Sequence, residues 1–260
     1  MLVLLAASTL CAAQTPDYVP RPGQPGKDVV WIPTPDDTVE KMLDMAQVTA
    51  QDYVIDLGSG DGRNVIAAAR RGARALGVEY NPDLVALSRR NAAAAGVADR
   101  ATFVQGDMFA ADISQATVMM LFLLPAHLEK LAPRFLTLKP GARVVSNTYE
   151  IGGGWEPDAR TRSDPCPSWC TAVMYIVPAR VEGGWRLAGG ERLILEQSYQ
   201  VVWGTLEIAG IVLPVENGRL RGEEISFTVN RVEYSGRVSG DAISGTARGR
   251  VTRDWKAERE

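Results

Sequence analysis

Between residues 50 and 150 the chain alternates short apolar runs with longer segments in which apolar residues recur every three or four positions. The short runs are rich in Val, Ile, Leu and Met, as is typical of strands buried on both faces of a parallel sheet. The longer segments, such as NVIAAARR, have the period of amphipathic helices. We predict strands at Tyr53–Leu57, Ala75–Glu79, Thr102–Gln105, Val118–Leu124 and Arg143–Tyr149, and helices at Asn64–Arg71, Pro82–Ala95 and Ala126–Leu136.

Strands that alternate with helices indicate the α/β class, here a Rossmann-like, doubly wound and mostly parallel sheet with helices on both faces. A further helix is predicted before the first strand, in TPDDTVEKMLDMAQV. Thr34 suits its N-cap and Pro35 its first position, while Asp36 and Asp37 place negative charge in its first turn. These elements together predict one sheet domain.

After about Arg186 the period of the pattern changes to two. The segments LILEQSYQVVWGTLEIAG, EEISFTVNRVEYSGRVSG and DAISGTARG alternate apolar and polar residues between glycine and asparagine turns. This pattern predicts a C-terminal antiparallel β meander that packs on the sheet domain. The meander would either lie beside the carboxyl edge of the parallel sheet, where it would shape access to a ligand, or pack elsewhere as a stabilising or docking unit. We expect the first arrangement.

The N-terminal segment LVLLAASTLCAA is apolar, has the length of a signal-peptide hydrophobic region and is too short to span a bilayer. It predicts an exported or periplasmic protein, although the segment has no basic residue before it; without a signal the protein would be cytoplasmic. No membrane span is predicted for the mature chain. The predicted organisation is a signal peptide at 1–13, a Pro- and Gly-rich linker at 14–29, the sheet domain at 30–186 and the all-β unit at 187–260.

Composition excludes some classes of function. The net charge is −3, the pI is near 5.4 and the sequence has no basic run, so we expect no nucleic-acid partner. With a signal removed, the remaining cysteines are Cys166 and Cys170, which form either a small disulfide or two free thiols. One histidine and one short cysteine pair cannot complete a tetrahedral zinc site, so no metal is expected.

The stretch VIDLGSGDGR carries the first candidate chemistry, because three glycines follow the first predicted strand and precede a helix. A glycine-rich turn in this place forms a nucleotide-type site. The spacing G-x-G-x-G differs from the G-x-G-x-x-G of dinucleotide-binding enzymes, which disfavours an NAD-linked oxidoreductase. Asp56 and Asp61 are unsuited to a pyrophosphate but suit a ligand with a sulfonium and an ammonium group. S-adenosylmethionine is such a ligand.

Two further acids end the next two strands. Glu79 lies 19 residues beyond Gly60, where a carboxylate can accept both ribose hydroxyls. Asp107 ends the third strand, where it can accept the adenine amino group, and the backbone N–H of Met108 can reach the ring. Because parallel strands end at one edge of the sheet, Asp56, Glu79 and Asp107 predict one site.

The segments VIDLGSGDGR, GVEYNP, QGDMF and LKPGARVV resemble the ordered motifs of class I S-adenosylmethionine-dependent methyltransferases, over about Asp28 to Pro178. In finer detail, WIPTPDDTVEKM, FLLP and GWEP are similar to the mitochondrial protein-lysine methyltransferases that modify the ATP synthase c subunit, and to their bacterial relatives. The resemblance implies S-adenosylmethionine as cofactor. The residues expected to bind it are Thr34, Asp56, Gly58, Ser59, Gly60, Asp61, Gly62, Glu79, Tyr80, Asp107 and Met108.

The methyl acceptor is less constrained than the cofactor. The fourth strand is followed by FLLP, without the acid or amide that amide- and nucleobase-modifying enzymes carry there. The candidate acceptor-pocket residues follow the fifth strand and are Asn147, Tyr149, Glu150 and Trp155. The resemblance implies an enzyme that methylates a protein lysine or a small molecule. A protein that binds S-adenosylmethionine without methyl transfer remains the alternative.

Overall fold

The computed structural model describes residues 18–166 and 168–260, so the predicted signal peptide at 1–13 lies outside the described residues. Within them, the first part of the chain forms a seven-stranded sheet flanked by helices. The helices are α1 Asp36–Met45, α2 Arg63–Arg70, α3 Pro82–Ala94 and α4 Pro125–Phe135. The strands of this sheet are β1 Tyr53–Leu57, β2 Arg74–Glu79, β3 Ala101–Gln105, β4 Val118–Leu121, β5 Arg143–Asn147, β6 Ala159–Arg162 and β7 Thr171–Ile176.

The strand order in this sheet is β3-β2-β1-β4-β5-β7-β6. The first five strands along the chain are mutually parallel, whereas β7 runs antiparallel to β5 and to β6. The order reverses beside β1, which pairs with β2 on one side and with β4 on the other. A crevice at the carboxyl ends of the strands is expected at such a reversal, and it positions the site described below.

The central strand is apolar on both faces, as predicted for a parallel sheet. Val54 packs with α1 and α2 in one hydrophobic core, whereas Ile55 packs with α4 in the other. Both side chains are almost completely buried. Helices therefore cover both faces, and the doubly wound architecture predicted from the pattern is present.

Several predicted ends move by a few residues. The fourth strand ends at Leu121. The fifth ends at Asn147, because the next residue, Thr148, adopts a left-handed backbone conformation. Thr34 is not the N-cap of α1: Pro35 occupies that position. The Thr34 hydroxyl is instead 3.4 Å from the side-chain nitrogen of Asn147. No element was predicted between the fifth strand and the C-terminal unit, where β6 and β7 lie.

The C-terminal unit is a closed eight-stranded antiparallel barrel, which corrects the predicted open meander. An open meander has two edge strands with unpaired backbone groups. Here the last strand pairs with an early one, GGWRL, whose glycines hid it from the pattern. The strands of the barrel are β8 Gly183–Leu187, β9 Arg192–Ser198, β10 Val201–Ile208, β11 Ile211–Arg221, β12 Glu224–Val229, β13 Val232–Ser239, β14 Ala242–Arg248 and β15 Thr252–Arg259.

The interior of the barrel is filled by side chains. Trp185 is fully buried, and its indole nitrogen donates to the carbonyl of Val181 at 2.7 Å. Phe227 stacks on Tyr234 with ring centroids 4.9 Å apart, and Trp255 meets both rings edge-on. Since β8 begins at Gly183, the change of architecture precedes the predicted start of the unit at residue 187.

The barrel packs on the sheet domain away from the carboxyl edge. Tyr199 stacks on Trp155 with ring centroids 5.6 Å apart, and the backbone N–H of Ala179 donates to the carbonyl of Gly222. Gly222 also lies against Gly141, just before β5 begins, which is the amino edge of the sheet. The prediction that the C-terminal unit lies beside the carboxyl edge is therefore wrong. The apolar faces of its strands form the core of the barrel and do not need the sheet domain to cover them.

No helix in the described ranges combines the length and the apolar composition that crossing a bilayer requires.

Candidate active site

A cavity opens at the carboxyl edge of the sheet, where the strand order reverses. It is lined by the loop after β1, by the residues that follow β2, β3 and β4, and by an N-terminal loop that we define as residues 24–34. Ten of the eleven predicted cofactor-binding residues line it: Thr34, Asp56, Gly58, Ser59, Gly60, Asp61, Glu79, Tyr80, Asp107 and Met108.

The glycine-rich loop after β1 is held open by hydrogen bonds. The backbone N–H of Gly58 donates to the carbonyl of Val78 at 2.8 Å, and that of Gly60 donates to the Glu79 carboxylate at 3.0 Å. Gly60 has a φ of 55°, and a Cβ there would lie 2.5 Å from the indole nitrogen of Trp31. Glycine at this position therefore lets the N-terminal loop approach the backbone closely.

Gly62, the eleventh residue, has a different role. It is the N-cap of α2 with a φ of 85°. A Cβ there would lie 2.8 Å from the Phe103 ring and 2.9 Å from the Cβ of Ser88. The residue is buried beneath the loop and does not line the cavity, so the structure gives it a packing function.

Asp56 is buried at the base of the cavity, at the end of β1. The side-chain nitrogen of Asn64 donates to its carboxylate at 3.1 Å. Burial raises the pKa of Asp56 to about 8, against the effect of this hydrogen bond, and the charges of Glu79 and Asp61 act in the same direction as burial. A cationic ligand at this end of the cavity would be attracted to the ionised form.

The raised pKa predicts a pH-dependent stability. The unfolded chain releases the Asp56 proton near pH 3.8, whereas the folded chain keeps it up to about pH 8. The contribution of this group to the free energy of unfolding therefore falls as pH rises between these values. In urea denaturation without cofactor, we expect Asp56→Asn to gain stability relative to the wild type between about pH 5 and pH 8. Asp99→Asn, at an exposed aspartate, is the control. If the stability difference between Asp56→Asn and the wild type stayed constant from pH 5 to pH 8, the raised pKa of Asp56 would be wrong.

Glu79 joins the end of β2 to the glycine-rich loop. One carboxylate oxygen accepts from the backbone N–H of Gly60 and the other from that of Asn81, at 2.8 Å. Both oxygens retain further lone pairs, because a carboxylate accepts about four hydrogen bonds. The side chain is only partly buried and lines the cavity, so it is positioned to accept hydroxyl groups from a ligand.

The carboxylate of Asp61 is already paired. It forms an ion pair with Arg63 at 2.6 Å, and the Arg63 guanidinium also donates to the carbonyl of Thr34 at 2.7 Å. These contacts tie the glycine-rich loop to the N-terminal loop. Asp61 lines the cavity as predicted for a cofactor-binding residue, but its pairing with Arg63 makes it less available to a cationic ligand than Asp56.

The N-terminal loop includes part of the predicted linker and covers the cavity. Its base is closed by a hydrogen bond from the backbone N–H of Trp31 to the carbonyl of Gln24 at 3.0 Å. Near its tip, the Lys27 ammonium donates to the Asp107 carboxylate at 2.6 Å and lies 4.7 Å from the centre of the Tyr80 ring. The hydrogen bond from Lys27 lowers the pKa of Asp107. The segment is part of the site and does not act as a spacer.

The structure separates the four predicted acceptor-pocket residues. Asn147 is fully buried and contacts Thr34. Glu150 is exposed and pairs with Arg160 at 2.7 Å, and Trp155 is buried in the core. The structure therefore places Glu150 on the surface and Trp155 at the junction with the barrel, and neither lines the cavity.

Tyr149 belongs to an aromatic cluster that we define as Phe122, Tyr149 and Trp169. The ring centroid of Phe122 lies 6.4 Å from that of Tyr149 and 5.5 Å from that of Trp169, and the centroids of Tyr149 and Trp169 are 6.1 Å apart. All three side chains are half-buried, and Phe122 also lines the cavity. The cluster forms an apolar wall that continues from the cavity towards solvent.

Sequence reasoning missed Phe122 and Trp169. Phe122 stands in FLLP, where only the missing acid or amide had been considered. Trp169 stands in DPCPSWC, where only the cysteines had been considered. Phe122 could have been found, because it is an aromatic residue at the carboxyl end of a predicted strand. Trp169 could not, because it precedes β7, a strand that was not predicted.

Comparisons with known proteins agree with this geometry. The profile of the ANTKMT methyltransferase domain matches residues 56–159. A protein-lysine N-methyltransferase of Saccharolobus islandicus is 40% identical over 152 residues, which are 57% of this chain and 94% of that protein. The mouse lysine N-methyltransferase named for the ATP synthase c subunit is 36% identical over 132 residues, which are 50% of this chain and 53% of that protein, so the match spans about half of its length.

A solved structure gives the same result. The crystal structure of an RNA methyltransferase from Salinibacter ruber in complex with S-adenosyl-L-homocysteine is 46% identical, with a TM-score of 0.54. The match covers 58% of this chain and 96% of that one. The Saccharolobus protein is matched over 94% of its length at 40% identity. The chain therefore belongs to the same family as that protein, and it is an S-adenosylmethionine-dependent methyltransferase.

Proposed function

We propose that the protein transfers the methyl group of S-adenosylmethionine to the side-chain amine of a lysine in a protein. The observation that carries this proposal is the aromatic cluster, which shares Phe122 with the cofactor cavity. An aromatic wall suits a long aliphatic chain that ends in an ammonium group, because rings contact methylene groups and attract cations through their faces. The Saccharolobus and mouse relatives, which are named lysine methyltransferases, support the same acceptor.

The residues present fit the cofactor. Gly58 and Gly60 have positive φ and carry no Cβ, so a ligand can lie directly against the loop. The hydroxyl of Ser59 is buried without a hydrogen-bond partner among the described residues. Glu79 would accept the ribose hydroxyls, Asp107 the adenine amino group, and Asp56 would face the cationic end. When bound, S-adenosylmethionine supplies a methyl group that is already activated by the sulfonium.

The protein's own contribution is then to position and desolvate the acceptor. A lysine amine must be neutral to attack, and exclusion of water from the bound ammonium group lowers its pKa because it disfavours the charged form. The rings of Phe122 and Tyr149 would align the side chain with the cavity, which converts the reaction into an effectively intramolecular one. Glu150 is paired with Arg160 on the surface, so we assign it no role as a base.

Asp107 would be shared between two donors. Its carboxylate is held by Lys27 in this structure, at the position where the adenine amino group is expected. Cofactor binding would therefore exchange one donor for another at this carboxylate. The side chains of Lys27 and Asp107 are both about one-third exposed, so water and salt weaken their ion pair. Breaking the pair therefore costs little free energy.

The test is transfer of labelled methyl groups from S-adenosylmethionine into a cell extract, followed by separate protease and nuclease digestion. We expect label in protease-sensitive material that yields N-methyllysine on acid hydrolysis, and none with heat-denatured enzyme. Label released by nuclease would favour an RNA acceptor, as the name of the Salinibacter protein suggests for that protein. Label in small molecules alone would also contradict the proposal. S-adenosylhomocysteine binding without any transfer would favour a binding protein.

A further inference from the structure

We propose that the disulfide between Cys166 and Cys170 holds Trp169 against Phe122 and Tyr149, so that binding of the acceptor, but not of the cofactor, depends on the oxidised state of this loop. The proposal rests on the proposed function, because the aromatic cluster is taken as the acceptor wall. Trp169 is the member of the cluster that the parallel strands do not place.

The three rings reach the cluster by different routes. Phe122 directly follows β4 and Tyr149 lies two residues after β5, so both stand at the carboxyl edge of parallel strands. Trp169 comes two residues before β7, which runs antiparallel to β5 and therefore begins at that same edge. The antiparallel strand thus delivers a third ring to the place where two parallel strands end.

The backbone at Trp169 is constrained. Its φ of 61° lies in the left-handed region, which a bulky side chain adopts only where the surroundings impose it. The disulfide closes a short loop around the residue, and Cys170 is buried. The hydroxyl of Thr38 donates to the Trp169 carbonyl at 3.3 Å. The loop and α1 therefore fix the direction in which the indole points.

Trp169 acts on one side of the site only. Its ring lies 5.5 Å from that of Phe122, but Trp169 does not line the cofactor cavity. Phe122 and Tyr149 are 6.4 Å apart, and Trp169 borders both of their rings. Removing the indole should leave the cofactor contacts intact and open one side of the acceptor wall.

Reduction would release the constraint on this ring. A dithiol reductant such as dithiothreitol gives two electrons and two protons to the disulfide, which becomes two thiols, while the reductant closes to a cyclic disulfide. The loop then loses its covalent closure, and of these constraints only the hydrogen bond from Thr38 still holds the backbone at Trp169. The left-handed conformation is then less strongly imposed. The ring would leave the cluster while β7 stays paired with β5.

The test compares Trp169→Ala, Trp169→Phe and the double variant Cys166→Ser/Cys170→Ser with the wild type, using a lysine peptide as acceptor. We expect KM for the peptide to rise about tenfold in Trp169→Ala and in the double variant, with kcat nearly unchanged, since ground-state and transition-state binding are lost equally. Trp169→Phe should recover part of the affinity. The dissociation constant of S-adenosylhomocysteine should change less than about twofold, as expected for a residue outside the cavity. Trp203→Ala, at a half-exposed indole of the barrel, is the matched control.

Dithiothreitol should raise KM in the wild type and leave the double variant unchanged. An unchanged KM in Trp169→Ala, or an equal loss of cofactor affinity, would overturn the proposal. The fluorescence difference between the wild type and Trp169→Phe reports the surroundings of Trp169 without any acceptor, and it should change on reduction. If no lysine peptide is methylated, the proposed function fails; an unchanged fluorescence difference overturns the placement of Trp169 by the disulfide separately.

Discussion

Replacing Glu79 by alanine is expected to weaken S-adenosylhomocysteine binding about a hundredfold, as measured by titration calorimetry. The carboxylate is proposed to accept the ribose hydroxyls, and charge-assisted hydrogen bonds of this kind contribute roughly 1.5–3 kcal/mol each. The same carboxylate holds the backbone N–H of Gly60, so its loss also releases the loop that forms one wall of the cavity. Both effects weaken binding, whereas the fold keeps its core.

A neighbouring residue serves as control for this substitution. Gln105 pairs with Glu79 in the ladder between β2 and β3 and does not line the cavity. Gln105→Ala loses only a 3.3 Å hydrogen bond from its side chain to the carbonyl of Tyr80, so it should keep most of the wild-type affinity for S-adenosylhomocysteine. Glu79→Gln retains one acceptor oxygen and should lose about tenfold, in line with one charge-assisted bond. An unchanged dissociation constant in folded Glu79→Ala would show that another group binds the ribose.

Replacing Gly62 by alanine is expected to lower the free energy of unfolding by about 3 kcal/mol. A left-handed backbone costs a residue with a Cβ roughly 1–2 kcal/mol, and overpacking a close-packed site costs roughly 1–3 kcal/mol. At Gly62 both apply, because the added carbon would lie 2.8 Å from the Phe103 ring. Urea denaturation measures this change in the absence of cofactor.

Gly96 separates the two contributions to that loss. It has a φ of 69°, and a Cβ there would meet nothing within 4 Å. Gly96→Ala should therefore show only the backbone cost of roughly 1 kcal/mol. Equal losses in the two variants would mean that Phe103 and Ser88 yield to the added carbon, and the packing role assigned to Gly62 would be wrong.

Sequence reasoning located the parts of the site that lie in short motifs at the ends of predicted strands. Asp56, Glu79 and Asp107 each stand at the end of a strand, and parallel strands bring their ends to one edge, so three short motifs suffice to place three carboxylates at one cavity. The N-terminal loop could not be located in this way. Lys27 lies 80 residues before its partner Asp107, in a segment whose Pro and Gly content is that of a linker.

The barrel shows the same limit at the level of the fold. Alternation of apolar and polar residues identified strand faces such as Ile225, Phe227 and Val229, all of which are buried. Alternation does not show which strands are neighbours. Closure depends on β15 meeting β8, two strands far apart in the chain, the earlier of which contains two glycines and no clear alternation to mark it.

The position of the barrel makes the enzyme modular. Both the Saccharolobus and the Salinibacter proteins are covered almost completely by less than three-fifths of this chain, and the ANTKMT domain match ends at residue 159, before the barrel begins. Among residues 18–166 and 168–260, those that line the cavity belong to the sheet domain and the N-terminal loop. Selection can therefore alter the outer surface of the barrel without disturbing the cofactor, provided that the stacking of Tyr199 on Trp155 is kept.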